Sequence, residues 1–234
     1  DDYGFFYANG GCMGYKRFLS TILIVLGLSL ILGQAVLTYV IQPRWIADAA
    51  SSAYGVERSE IQKNIDKTQG VVIEEITQLP IWSLPDKVDL ADVVGYIAIP
   101  SIGLNLPILS GTTNKNLRLG ATTMKEDQRM GAGNYTLAGH LTQSKTALFS
   151  PLRKMEVGED VYLTDKSSVY RYRLETVKIV SPDQIEVLDD VMGKTLLTLV
   201  TCEDSGGIQR RILVAILVET TEYDESVHTM FNVR

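Results

Sequence analysis

The chain holds two cysteines, Cys12 and Cys202, and two histidines, His140 and His228. These are too few for a disulfide framework or for a zinc site built from Cys and His alone, so any thiol chemistry falls to single residues. Cys202 closes the apolar run TLLTLVTC at 195–202 and is followed by the polar stretch EDSGGIQ. Burial at a strand end would account for a free cysteine, but the junction with a polar loop puts this thiol where water and a substrate reach it. Strand alternation gives Cys202 the same face as Leu196, Thr198 and Val200, so that it closes an apolar groove. A thiol nucleophile needs a group that moves protons, and histidine is the usual one. His140 ends the run NYTLAGH at 134–140 in the same way, whereas His228 lies in the last residues of the chain.

A tetrahedral intermediate also needs a group to hold its oxyanion. Arg210 and Arg211 open the run RRILVAILVE at 210–219, and a hairpin returns the start of that run to the thiol. A fixed guanidinium there would hold a substrate carbonyl or the developing oxyanion. Neighbouring strand residues point to opposite faces, so at most one of the two arginines serves.

The elements that carry these residues read as β. Besides the three runs above there are GYIAIP at 95–100, LPIL at 106–109, DVYLT at 160–164 and VYRYRLETVKIV at 169–180, separated by turn residues. Seven or eight strands at this spacing, with short helices such as 113–119, predict an all-β barrel or sandwich. KNLRLGATTM is the nearest approach to a phosphate loop and lacks the spacing.

Phe18 to Pro43 is a different region, with 26 residues dense in Leu, Ile and Val and no charge. A bilayer core takes roughly 20 helical residues, so the segment is expected to form one retained transmembrane helix. Lys16 and Arg17 precede it, while Arg44 and Asp48 follow, which favours an inside N-terminus and places the rest of the chain outside. The expected order is therefore a cytoplasmic tail at 1–17, the transmembrane helix at 18–43, a partly helical stalk at 44–91, a β domain at 92–222 and a C-terminal tail at 223–234. Pro80 and Pro85 in LPIWSLPD punctuate the stalk. The net charge of −6 carries no basic field for nucleic acid, which is excluded as a partner.

TLVTC at 198–202, with LAGH at 137–140 upstream and QRRILVA at 209–215 downstream, resembles the sortases. The resemblance runs over about 125 residues, from GYIAIPSIGLNLPIL through GAGNYTLAGH, LFSPL, YLTDKSSVYRY and VSPDQIEVLDD to the arginine strand. It implies an eight-stranded β-barrel anchored in a Gram-positive cell membrane and facing the cell wall. It also implies transpeptidation, in which a thiolate cleaves a Leu-Pro-any-Thr-Gly (LPXTG) sorting signal between Thr and Gly. An amine of a peptidoglycan precursor, lipid II, then releases the acyl-enzyme and joins the surface protein to the wall. Carried over residue by residue, Cys202 is the nucleophile and His140 the acid for the leaving amine and the base for the incoming one. Arg210 orients the substrate and steadies the oxyanion; one way of aligning the final strand selects Arg211 instead. The substrate groove maps onto Ala138, Ile185, Val187 and Val200.

The housekeeping class A is the best match, because no second span and no Asp-Pro-aromatic lid are evident, and IWSLPD at 81–86 is only a faint echo of one. Some class A members bind calcium, but KEDQRMGAGN offers only Glu126 and Asp127, so no metal or other cofactor is expected. Two rival functions share the same residues: a cysteine peptidase releasing envelope peptides to water, and a noncatalytic tethered β module. Hydrolases of this kind generally place Cys before His in the chain, the reverse of the order here. A His140 and Cys202 spaced too far for a tight ion pair would give a bell-shaped pH dependence.

Overall fold

The computed structural model describes residues 11–67, 72–74, 87–204 and 206–231. Pro80, Pro85 and the IWSLPD stretch lie outside them. Eight strands close into a barrel in the order β1-β2-β3-β4-β7-β8-β6-β5. They are β1 (Val93–Ile99), β2 (Leu104–Leu109), β3 (Ala121–Thr123), β4 (Asn134–Ala138), β5 (Asp160–Thr164), β6 (Ser168–Val180), β7 (Leu196–Cys202) and β8 (Arg210–Glu222). Neighbours run antiparallel except β2 with β3 and β4 with β7.

Seven of these strands follow the apolar runs of the sequence; β3 does not. Three residues are too few to show alternation. They form a strand because β2 and β4 flank them on either side, pairing Ile108 with Ala121 and Thr122 with Ala138. Where β3 stops, Gln128 takes over the edge of β4. Its Oε1 accepts from the Thr136 amide at 3.0 Å and hydroxyl at 2.8 Å, and its Nε2 donates to the Thr136 carbonyl at 2.9 Å.

The barrel interior is filled by Ile97, Ile99, Leu137, Leu163, Tyr172, Leu199 and Leu213, all buried. Each aliphatic or aromatic side chain removed from water in this way contributes about 1.5–3 kcal/mol.

A second apolar layer lies on the outer face of β1. The chain enters through a continuous helical segment whose most apolar stretch, of mean hydropathy 2.2, is long and apolar enough to cross a membrane. The segment comprises α1 (Gly11–Val36), a wide π turn (Leu37–Ile41) and α2 (Gln42–Ser51). The π turn has a local cause in Pro43, which donates no hydrogen bond and whose ring presses on the carbonyl four residues back. The Gln42 amide reaches Leu37 instead of Thr38.

Residues expected to form a stalk are docked on the barrel from Ile46 onward. Ile46, Ala50, Ala53, Val56 and Ile61, spaced among the charges, are buried, while Trp45 stays exposed. The Tyr96 hydroxyl donates to the Ala53 carbonyl at 2.6 Å, and Lys166 Nζ donates to the carbonyls of Tyr54 and Val56 at 3.0 and 2.7 Å. In α3 (Arg58–Asp66) the buried Asn64 amide donates to the carbonyls of Leu90 and Val93.

Part of the expected C-terminal tail is likewise docked on the barrel. A short helix, α4 (Glu225–Phe231), buries Phe231 beside Ala53, Ile61 and Tyr96. The Met230 carbonyl accepts from Asn105 Nδ2 at 2.7 Å. Phe231 and Tyr223, eight residues apart, give no periodic signal, and only the outer face of β1 makes a place for them.

Candidate active site

The central strands β4 and β7 run parallel side by side, pairing Ala138 with Val200. The Gly139 amide extends the ladder by donating to the Val200 carbonyl at 3.0 Å. His140 and Cys202 each stand two residues beyond the Ala138–Val200 pair, so they leave neighbouring strands at the same end of the barrel, both half-buried. The histidine backbone is held from below. A Cβ at Gly139 would lie 2.2 Å from the Phe149 ring, so only glycine admits that fully buried ring, and the Phe149 amide donates to the His140 carbonyl at 3.1 Å.

The hairpin β7–β8 sets the arginines. Cys202 lies opposite Arg210 and Thr201 opposite Arg211. Directly opposed residues share a face, so Arg210 stands on the face of Cys202. Its Nη1 donates to the Gly207 carbonyl at 2.7 Å, which holds the guanidinium over the loop. Arg211 falls on the side of Leu199 and Leu213, toward the barrel mouth, and is fully engaged by Glu203 through bonds of 2.6 and 3.1 Å. That two-pronged geometry commits the guanidinium.

The face beneath Cys202 is the outside of the barrel. Ala138 and Val200 form its floor at 8% and 9% exposure. Further along it becomes polar, with Thr136, Thr198 and Asn134 buried and the Thr198 hydroxyl donating to Asn134 Oδ1 at 2.8 Å. The apolar groove expected from alternation is therefore short.

Asn134 also binds the β6–β7 connection, donating through Nδ2 to the carbonyls of Val187 and Asp189 and through its amide to Asp190 at 2.8 Å. Lys125, from the β3–β4 connection, meets the same carboxylate oxygen at 2.8 Å. Lys125 and the Asn134 amide hold the Asp190 carboxyl below the usual range. Gly133, at φ +55°, permits this approach, since a Cβ there would come within 2.9 Å of the carboxylate. Of the two groove residues expected in this connection, Val187 is half-buried and Ile185 is 70% exposed. Among the described residues no group of three or more His, Cys, Asp or Glu is placed to hold a metal ion.

Burial, and after it the positive charge of Arg118, push the His140 imidazole below its ordinary value. Neither Arg118 nor the Asn134–Asp190–Lys125 cluster is evident from the sequence. Their partners are between 22 and 65 residues away, and no local pattern marks them.

A thiol, an imidazole and a guanidinium at the rim of a short apolar floor are the parts of an acyl-transfer site. Comparison with known proteins agrees. The family model described as "Sortase domain" matches residues 97–218. Sortase A of Streptococcus agalactiae is 39% identical, over 95% of this chain and 94% of that protein. Sortase A of Listeria monocytogenes is 32% identical, over 88% and 93%. A solved structure of the Listeria monocytogenes enzyme superimposes with a TM-score of 0.59 at 36% identity, covering 61% of this chain and 99% of that one. A match that covers the whole barrel and, in sequence, reaches through the N-terminal helix assigns the molecule: the chain belongs to the sortase family of cysteine transpeptidases.

Proposed function

We propose that this sortase is a class A, membrane-anchored enzyme that cleaves LPXTG-type signals of surface proteins between Thr and Gly and joins them to the amine of lipid II. The observation that carries this reading is the pairing of Cys202 with Arg210 on the groove face, beside the strand end that bears His140. The Cys202 thiolate attacks the threonine carbonyl carbon. The carbonyl π electrons move to oxygen, and Arg210 steadies that charge. On collapse the C–N bond to glycine breaks, His140 gives its proton to the leaving amine, and a thioester remains. The acceptor amine then attacks the thioester, His140 takes its proton, and the C–S bond breaks to restore the thiolate. Ala138 and Val200 form the apolar floor for the signal's Leu-Pro side chains, and Ile185 and Val187 its wall. Arg211 takes no part, because Glu203 already occupies its fork.

In this reading residues 18–43 span the membrane with 1–17 inside, and the barrel faces the cell wall of a Gram-positive cell. The domain at 92–222 is catalytic, and the helices between it and the span hold it in place.

The test is the full chain in detergent micelles, incubated with a Leu-Pro-Glu-Thr-Gly peptide and oligoglycine or alanine, and read by intact mass. A thioester adduct absent from C202A, together with a Thr–amine product, is the expected result. Hydrolysed peptide alone, even with excess amine, would make the protein a peptidase. A folded protein that gives neither adduct nor product across sorting motifs would leave a tethered binding module.

A further inference from the structure

A guanidinium outside this constellation acts on it. Arg118 ends the one-turn helix Asn116–Arg118, which directly precedes β3. β3 runs antiparallel to β4 with Thr122 opposite Ala138, so residues just before β3 lie level with those just after Ala138, where His140 stands. The turn is rigidly held. Asn116 Nδ2 donates to the Ser110 carbonyl at 2.9 Å, the Asn116 amide donates to the Thr113 hydroxyl at 3.0 Å, and Leu117 and Leu119 are buried on either side of Arg118.

Arg171, Arg173 and Arg211 each meet a carboxylate. Arg118 meets none among the described residues, and its Nε is buried with no hydrogen-bond partner there. A half-buried cation without a counter-ion projects its field farther than a paired one, because neither a neighbouring charge nor bulk water cancels it.

We propose that Arg118 is a positioning residue for His140: an uncompensated guanidinium, fixed at the same barrel end by the turn before β3, that keeps the imidazole in its basic form for the amine-accepting half of the reaction. The depressed basicity of His140, due first to burial and then to Arg118, agrees with this placement. The other titratable and charged groups at this end are Cys202 on β7, Arg210 opposite it on β8, the Arg211–Glu203 pair beside them, Asp204 in the β7–β8 loop and the exposed Lys145 in the loop after His140. Both carboxylates are already engaged, Glu203 by Arg211 and Asp204 by the Ile208 and Gln209 amides. The role in amine acceptance rests on the function proposed above; the effect on the imidazole does not.

The chain has only two histidines, so histidine-selective isotope labelling of the full chain in micelles gives two ring signals, and H228Q assigns them. In R118Q the His140 titration moves to higher pH, and in R118K it stays near the wild-type position. The acid limb of the amine-dependent rate moves up with it in R118Q alone. An unchanged titration in R118Q, or equal movement in R118Q and R118K, overturns the proposal.

Should R118Q not fold, R118M, which keeps a long side chain without its charge, carries the same test: the His140 titration rises in it, and an unchanged one overturns the proposal. If no thioester forms at all, the enzymatic reading fails while the imidazole measurement still decides the role of Arg118.

Discussion

Two outer faces of the same barrel are treated in opposite ways. On β1 the outward residues Val93, Tyr96 and Ala98 are covered by the segment between α2 and α3, by α3 and by α4, which add Ala53, Val56, Ile61 and Phe231 to make a second small core. On β4 and β7 the outward residues are small or polar, Ala138, Thr136, Thr198 and Val200, and among the described residues this face is met by Gln128 and the β6–β7 connection rather than by α3 or α4. Large apolar side chains on a sheet face demand a covering layer, whereas small ones leave a shallow trough that a peptide can enter. The first face holds the N-terminal helical segment to the barrel, and the second carries the thiol. Stability and chemistry are thus divided between two sides of one sheet, with the interior between them.

That division can be broken at either face. The largest effect is expected from C202A, which removes the thioester and lowers transpeptidation by at least about 10³-fold while leaving the thermal midpoint nearly unchanged. A C202A protein that still forms product would sink the proposed role of this face. Next, R210Q is expected to lower kcat/KM by about 10²- to 10³-fold, the usual loss for an oxyanion donor, against less than about 10-fold for R211Q. The reverse ranking would move the oxyanion role to the barrel mouth.

On the covered face, F231A or I61A is expected to cost about 2–5 kcal/mol in denaturant unfolding, with kcat per folded molecule unchanged. A fall in kcat at full folding would show that the helices steer the site. The smallest effect is that of K125A. Its bridge to Asp190 is exposed on the carboxylate side, so stability changes by less than about 1 kcal/mol. Because Lys125 ties the β3–β4 connection to the groove wall, KM is nonetheless expected to rise several-fold at constant kcat. A K125A enzyme with wild-type KM would leave Asn134 alone to hold that wall.

The sequence was most legible where elements are long or chemistry is rare. Two histidines and two cysteines reduce the choice of reacting groups to a few pairings, and seven of the eight strands announce themselves by alternation or continuous apolar runs. It was least legible where a residue matters because of something far along the chain. β3 exists through its neighbours, α4 through an uncovered face, and the docked stalk through five apolar residues scattered among charges. Arg210 and Arg211 are adjacent and chemically identical. Only the register of the hairpin, with Cys202 opposite Arg210, and the carboxylate of Glu203 beside Arg211 tell them apart.

By itself the sequence determined the apolar N-terminal helix, the β class, the strand ends that carry His140 and Cys202, and the family resemblance, because each is written in local pattern or in residue type. The tertiary structure decided which arginine shares the face of the thiol, how short the apolar floor is, what ties the β6–β7 connection to β4 and which cation acts on the imidazole. Those outcomes depend on strand register and on ladders closed between distant segments. A shift of one residue in pairing would turn every side chain to the other face without changing a single letter of the sequence.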